Sequence, residues 1–208
     1  MTIATIDTGP SGLARGRGGG GPASTRTVVA YGFWIFLLSD FVLFSGLFAA
    51  YLVLSDQTAG GPKGRDLFNL RNVFIETLCL LVSSYSAGLG ALAAERRRLG
   101  QFYIAAAFTL ILGVTFLAIE GSEFAGMVNR GAGPTRSAFL SAFFTLVGTH
   151  GAHVAGGLLW LIYQLAQVYV KGFRPYVLRR LLCFSLFWHA LDIVWIGVLT
   201  VVYLIGAQ

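Results

Sequence analysis

Eight ionisable side chains stand in stretches that otherwise carry almost no charge. Asp40 lies in FWIFLLSDFVLFSG, His150 and His153 in LVGTHGAHVAGG, and His189 and Asp192 in FSLFWHALDIVWIG. Glu76 opens NVFIETLCLL, and Glu120 and Glu123 close LAIEGSEFAG. Three pairs, Glu120/Glu123, His150/His153 and His189/Asp192, have i, i+3 spacing. On a helix that spacing puts both members on one face, within reach of a shared partner. Such groups could bind a metal, since Glu and His pairs on facing helices gather di-iron sites and three histidines with Asp192 could hold zinc. They could ligate a b-type haem through His150 or His153 with His189. They could form a proton or ion path, or hydrogen-bond between helices and fix their packing. The carboxylate pair and the histidines fall at different depths, which argues against one metal site collecting both. Interhelical hydrogen bonding is the reading these residues favour.

The elements that carry these groups follow from composition. The chain has 208 residues, 56% hydrophobic and 12% charged, with a mean hydropathy of +0.73. A soluble domain has roughly 25% charged residues. The apolar residues fall in five blocks, at about 28–55, 72–94, 101–124, 137–170 and 179–206. A transmembrane helix needs roughly 20 apolar residues, and membrane β-strands would alternate in segments of about ten. The expected fold is therefore all-α: a polytopic membrane protein with a bundle of five transmembrane helices in one domain, 28–208. The first 27 residues, rich in Gly, Pro, Ser and Thr, are expected to form a disordered cytoplasmic tail. The apolar run that follows is too long for a cleaved signal peptide and suits a retained first helix.

Counting from the block boundaries at about 1.5 Å per residue sorts the polar groups into two layers. Asp40, His150, His153, His189 and Asp192 fall near the midplane, and Glu76, Glu120 and Glu123 near the outer surface. An ionised side chain at the bilayer centre costs about 2.5–3.5 kcal/mol, so these groups should face other helices or water. A midplane network of Asp40, one or both of His150 and His153, and the His189/Asp192 pair would tie the first, fourth and fifth helices together.

Ten basic residues share one side: Arg15, Arg17, Arg26, Arg96, Arg97, Arg98, Lys171, Arg174, Arg179 and Arg180. Five lie on the other: Lys63, Arg65, Arg71, Arg130 and Arg136. The positive-inside rule puts the amino terminus in the cytoplasm and the carboxyl terminus outside. The net charge of +6 follows from this membrane-flanking excess and needs no nucleic-acid partner. A basic inner face also favours anionic lipid headgroups. Gly148/Ala152/Gly156, Ser83/Ala87/Ala91 and Gly46/Ala50 form small-xxx-small faces suited to close helix approach. Trp188 and Trp195 share a helical face and lie too deep to anchor at an interface, so they should pack on another helix. Cys79 and Cys183 read as apolar filler, and 58–66 and 129–137 as outer turns.

GFWIFLLSDFVLFSGLFAAYLVL, FLSAFFTLVGTHGAHVAGG and FSLFWHALDIVWIGVLTVVYLIG together resemble subunit III of the haem–copper respiratory oxidases, from about Tyr31 to Gly206. The five-helix length and TAGGPKGRDLF resemble the ubiquinol oxidase, cytochrome bo-type branch more than the cytochrome c oxidases. The resemblance implies a bacterial inner-membrane subunit without catalytic residues, bound metal or redox centre of its own. Haems and copper would sit on partner subunit I, and subunits I, II and IV would be its neighbours. It also implies a role in stabilising the catalytic subunit, holding phospholipid in a cleft between helix bundles and supporting proton uptake, while the complex oxidises quinol. Asp40 stands where cytochrome c oxidase members usually carry a glutamate, one methylene longer. The alternatives are subunit III of a cytochrome c oxidase or a stand-alone proton-coupled transporter. Against the transporter, no proline interrupts a span and no internal repeat is evident.

Overall fold

Capping residues stand where apolar runs begin, and the helices start there. In a computed structural model of the protein, which describes residues 24–61 and 69–206, the chain forms α1 (Thr25–Leu54), α2 (Leu70–Glu95), α3 (Leu99–Asn129), α4 (Ala138–Lys171) and α5 (Pro175–Val198). A π-helical turn, Leu199–Ile205, continues α5. Ser24 Oγ accepts from the Thr27 amide, Asn69 Oδ1 from Arg71 and Ser137 Oγ from Leu140, which satisfies amides a helix leaves unpaired at its start. Pro175 opens α5, where its missing N–H costs nothing. The described residues contain no strand, and the five helices are each long and apolar enough to cross a membrane.

The boundaries differ from the sequence expectation at two places that matter. The Ser24 cap starts α1 at Thr25, so residues 25–27 are helical rather than part of a tail. The rest of that tail, 1–23, lies outside the described residues, as does 62–68 of the first outer loop. Helix α3 runs to Asn129 instead of ending at 124, so its acids lie well inside the helix rather than at its end. The α3–α4 turn does fall within 129–137, with Gly131 at φ 75.

Helices α2 and α3 form a tight antiparallel hairpin, and α5 packs on α1, α2 and α4. Helix α4 also touches α1 and α3. α1 is an edge helix whose buried residues are Leu37, Phe44 and Tyr51, spaced seven apart. Heptad spacing gives a narrow seam, so most of α1 faces outward. The main core joins Phe44, Phe116, Phe143, Leu146, Trp188 and Trp195, and a smaller cluster around Phe102 and Val177 closes the other end.

The small-residue faces fared unevenly. Ser83 and Ala87 of α2 are buried in packing, but Gly46 and Ala50 of α1 and Ala152 and Gly156 of α4 are exposed. Close approach on α4 occurs one residue along, at Gly157, where an added Cβ would lie 2.8 Å from the Trp188 ring. Gly113 of α3 faces the same indole, and a Cβ there would meet Leu158 at 2.7 Å. At these two positions the side chains of Trp188, Phe187 and Leu158, not an opposing backbone, fill the space beside the glycine.

Candidate functional site

Of the middle-layer groups, His189 and Asp192 face α2. Ser84 Oγ lies 2.6 Å from His189 Nδ1, with the Asp192 carboxyl near the same hydroxyl. The His189 Nε2 edge lies over Gly88, 3.8 Å from where a Cβ would stand. On either side of this contact, Trp188 Nε1–H donates to Ser83 Oγ and Trp195 Nε1–H donates to Thr77 Oγ1, each at 3.1 Å. Trp188, His189 and Trp195, spread over two turns of α5, are thus stitched to α2. The hydroxyls of α2 and α3 extend the seam: Ser86 Oγ–H donates to the Ala105 carbonyl at 2.9 Å, and Thr109 Oγ1–H is shared between the Ala105 carbonyl of its own helix at 3.0 Å and that of Ser83 at 3.3 Å.

Among the described residues, no hydrogen bond joins Asp40, His150 or His153 to His189 or Asp192, and it is α2, through Ser84, that partners His189. His153 Nδ1 bonds the Thr149 carbonyl of its own helix at 2.8 Å. His150 is fully buried among Phe44, Phe116 and Trp195, with ring centroids 5.2–6.3 Å away and neither nitrogen hydrogen-bonded. Asp40 is half-buried beside Phe187, Ala190 and Val194 in a hollow between α1 and α5, with no hydrogen bond to another described residue. The physical reason lies in helix rotation. The α1 seam is centred on Leu37, Phe44 and Tyr51, which leaves Asp40 at its flank rather than facing α4.

The outer acids do come together. Glu76 lies six residues into α2, about 9 Å from its start, and is 1% exposed. Its carboxyl lies in electrostatic range of those of Glu120 and Glu123. Glu123 is reached by the Asn72 side chain and by the charge of Arg130. Glu120 is buried, with Oε2 3.8 Å from a Cβ position at Gly151, so it borders the His150 turn of α4. Tyr203, projected from the π-helical turn, lies in electrostatic range of all three glutamates and of Tyr51. Tyr51 Oη–H donates to the Val202 carbonyl at 3.5 Å, supplying a partner to the last turn, where a helix leaves its carbonyls unpaired. The acids therefore cluster toward one end of the bundle, about two turns in from the helix ends, with Glu76 and Glu120 buried and Glu123 half-buried.

Sequence reasoning missed the hydroxyls Thr77, Ser84 and Tyr203. The signal was present for the first two: a serine- and threonine-bearing face on α2 opposite the Trp188/Trp195 face of α5. Tyr203 carried none, because a π turn leaves no mark in an apolar run. His150 packs against the Trp195 and Phe116 rings, and Nδ1 of His189 is taken by Ser84. Among the described residues, no three His, Cys, Asp or Glu side chains form a group that could hold a metal ion.

Comparison with known proteins gives this arrangement its context. The family model described as cytochrome c oxidase subunit III matches residues 18–207. The chain is 51% identical over 177 residues to the cytochrome bo(3) ubiquinol oxidase subunit 3 of Pseudomonas aeruginosa, covering 85% of each chain. It is 47% identical to the subunit of the same name from Pseudomonas putida, covering 84% of each. It is 43% identical to the quinol oxidase subunit 3 of Bacillus subtilis, covering 84% of this chain and 86% of the relative. The match spans all five helices, and the chain belongs to the cytochrome c oxidase subunit III family.

Proposed function

We propose that this chain is the non-catalytic subunit III of a proton-pumping terminal ubiquinol oxidase, a complex that oxidises quinol and reduces oxygen to water. The observation that carries the reading is the 51% identity across 85% of both chains to a ubiquinol oxidase subunit 3. The internal chemistry agrees with it. His189 and Asp192 are engaged in helix packing, and His150 is sealed by aromatic rings. The haems and copper belong to partner subunit I, with subunits II and IV completing the complex in the bacterial inner membrane. Orientation follows the basic residues, with the amino terminus in the cytoplasm and the carboxyl terminus outside.

Within that complex the chain stabilises the catalytic subunit, holds phospholipid and supports sustained proton uptake. Asp40 is the deep carboxyl that α1 presents at its flank, next to the outward-facing surface available to a neighbour. Replacing it by Ala is expected to leave haem content intact and to reduce stability or sustained turnover. Complete haem loss from a still-assembled complex would contradict that role. The proposal as a whole is tested by donor choice. The purified complex is expected to consume oxygen with ubiquinol and not with reduced cytochrome c; the reverse preference would make it a cytochrome c oxidase subunit.

A further inference from the structure

Glu76 and Glu120 are buried without a partner. They are 1% and 5% exposed, and neither oxygen of either carboxyl meets a hydrogen-bond donor among the described residues. The two come from different helices. Glu120 belongs to the α3 pair with Glu123, and Glu76 is aimed into that pair from α2, in electrostatic range of both. The other groups around the acids come from every neighbouring element. Cys79 of α2 is in electrostatic range of Glu76, and Arg130, just past α3, acts on Glu123. His150 of α4 adjoins Gly151, which borders Glu120. Tyr203 of the π turn and Tyr51 of α1 complete the set. Of these, Arg130 is the one permanent cation.

Charge balance then decides the state of the acids. One guanidinium balances one carboxylate, and the half-buried Glu123, with the Asn72 side chain beside it, is the acid on which Arg130 acts. Ionising Glu76 or Glu120 as well would set like charges across the α2–α3 contact in apolar surroundings, where a carboxylate takes up a proton instead. A metal ion would offset the charge equally, but no three His, Cys, Asp or Glu side chains among the described residues gather as ligands. On the midplane side, Phe116 is fully buried one turn from Glu120 and packs edge-on to Trp195 at 4.8 Å, which leaves Glu123 as the way in from water. We infer that Glu76, Glu120 and Glu123 form a proton-binding site at the outer end of the bundle, with Glu76 and Glu120 held as carboxylic acids at neutral pH and Glu123 left to balance Arg130.

The site lies at the end opposite the basic face, and its protons hold the α2–α3 hairpin closed rather than pass along it. When this end opens to water the acids ionise, so the closed form keeps protons that the open form releases. Closure is therefore favoured by acid and weakened as pH rises from about 5 to about 8, the opening equilibrium growing about tenfold per pH unit for each proton held. The inference rests on the bilayer crossing and sidedness of the proposed function and not on which electron donor the complex uses.

The purified complex serves both tests. The infrared difference between the wild type and the Glu76→Gln, Glu120→Gln double variant at neutral pH is expected to show the carbonyl stretch of a protonated carboxylic acid. Carboxylate bands in its place would overturn the site. Amide hydrogen exchange of residues 72–80, corrected for the chemical exchange rate at each pH, reads closure. In the wild type the opening equilibrium is expected to rise by about tenfold to a hundredfold per pH unit, and in the double variant, whose side chains stay neutral, to stay level. Residues 101–110, at the basic end of α3, should stay level in both. A level wild type, or a double variant that rises in parallel with it, would contradict the inference. Should the double variant not assemble, each single Gln variant is expected to lower the slope by about tenfold per pH unit, and an unchanged slope in both would count against the site. A complex without haem would contradict the oxidase reading, while the infrared and exchange signals would still report on the acids.

Discussion

One hydroxyl, that of Ser84, stands beside two deep polar side chains, His189 and Asp192. With Ser84→Ala, His189 loses its Nδ1 partner and the Asp192 carboxyl loses a neighbouring hydroxyl. A buried polar group left unsatisfied costs about 1–3 kcal/mol, so this substitution should lower the temperature at which the subunit leaves the complex, with haem content unchanged. Heating the purified complex and following subunit release checks it; release at the wild-type temperature would mean the hydroxyl is dispensable. The slot for Trp188 is a second residue-scale test. Gly157→Ala would put a Cβ 2.8 Å from the indole and 3.1 Å from Phe187, both rigid rings. Overpacking of this kind costs about 1–3 kcal/mol. Ala at Gly156, which has open space beside it, should be tolerated in the same assay.

Helix ends carry the element-scale predictions. Arg97 pays a left-handed penalty of about 1–2 kcal/mol that glycine would not, so Arg97→Gly should leave stability unchanged or raise it by about 1 kcal/mol. Gly at Arg96, whose φ is −80, should bring no such gain. Thermal melts of the two variants separate these outcomes. The helices themselves were legible in the sequence because length and apolarity alone specify a span. Their rotation was not. Asp40 and His150 share a depth, but depth says nothing about azimuth, and the Leu37–Phe44–Tyr51 seam turns Asp40 aside. The Trp188/Trp195 face was readable as a packing face, though its hydroxyl partners on α2 required the fold. The acids Glu76, Glu120 and Glu123 were readable as a layer. Their burial was hidden by the extension of α3 to Asn129, and Tyr203 by the π turn.

At the scale of the whole molecule, the basic residues gather at one end. Arg26, Glu95, Pro175 and Arg179 line a common hollow there, so the start of α1, the end of α2 and the start of α5 are neighbours. Sidedness can be read by single cysteines at Arg97 and Arg130 in a chain lacking Cys79 and Cys183. A membrane-impermeant maleimide added to intact cells whose outer membrane has been opened should label position 130, and position 97 only after the inner membrane is permeabilised. The reverse pattern would invert the topology. The edge position of α1 leaves a broad apolar surface, with Val42, Val53 and Tyr31 each more than two-thirds exposed. Such a surface suits a subunit surrounded by lipid and larger partners. The measurement that tests the central claim most directly is isolation of this chain from its native membranes in mild detergent, with a reduced-minus-oxidised visible spectrum of the product. Larger subunits and a haem spectrum are expected to accompany it. A colourless chain recovered alone, from membranes that contain active oxidase, would contradict the oxidase assignment.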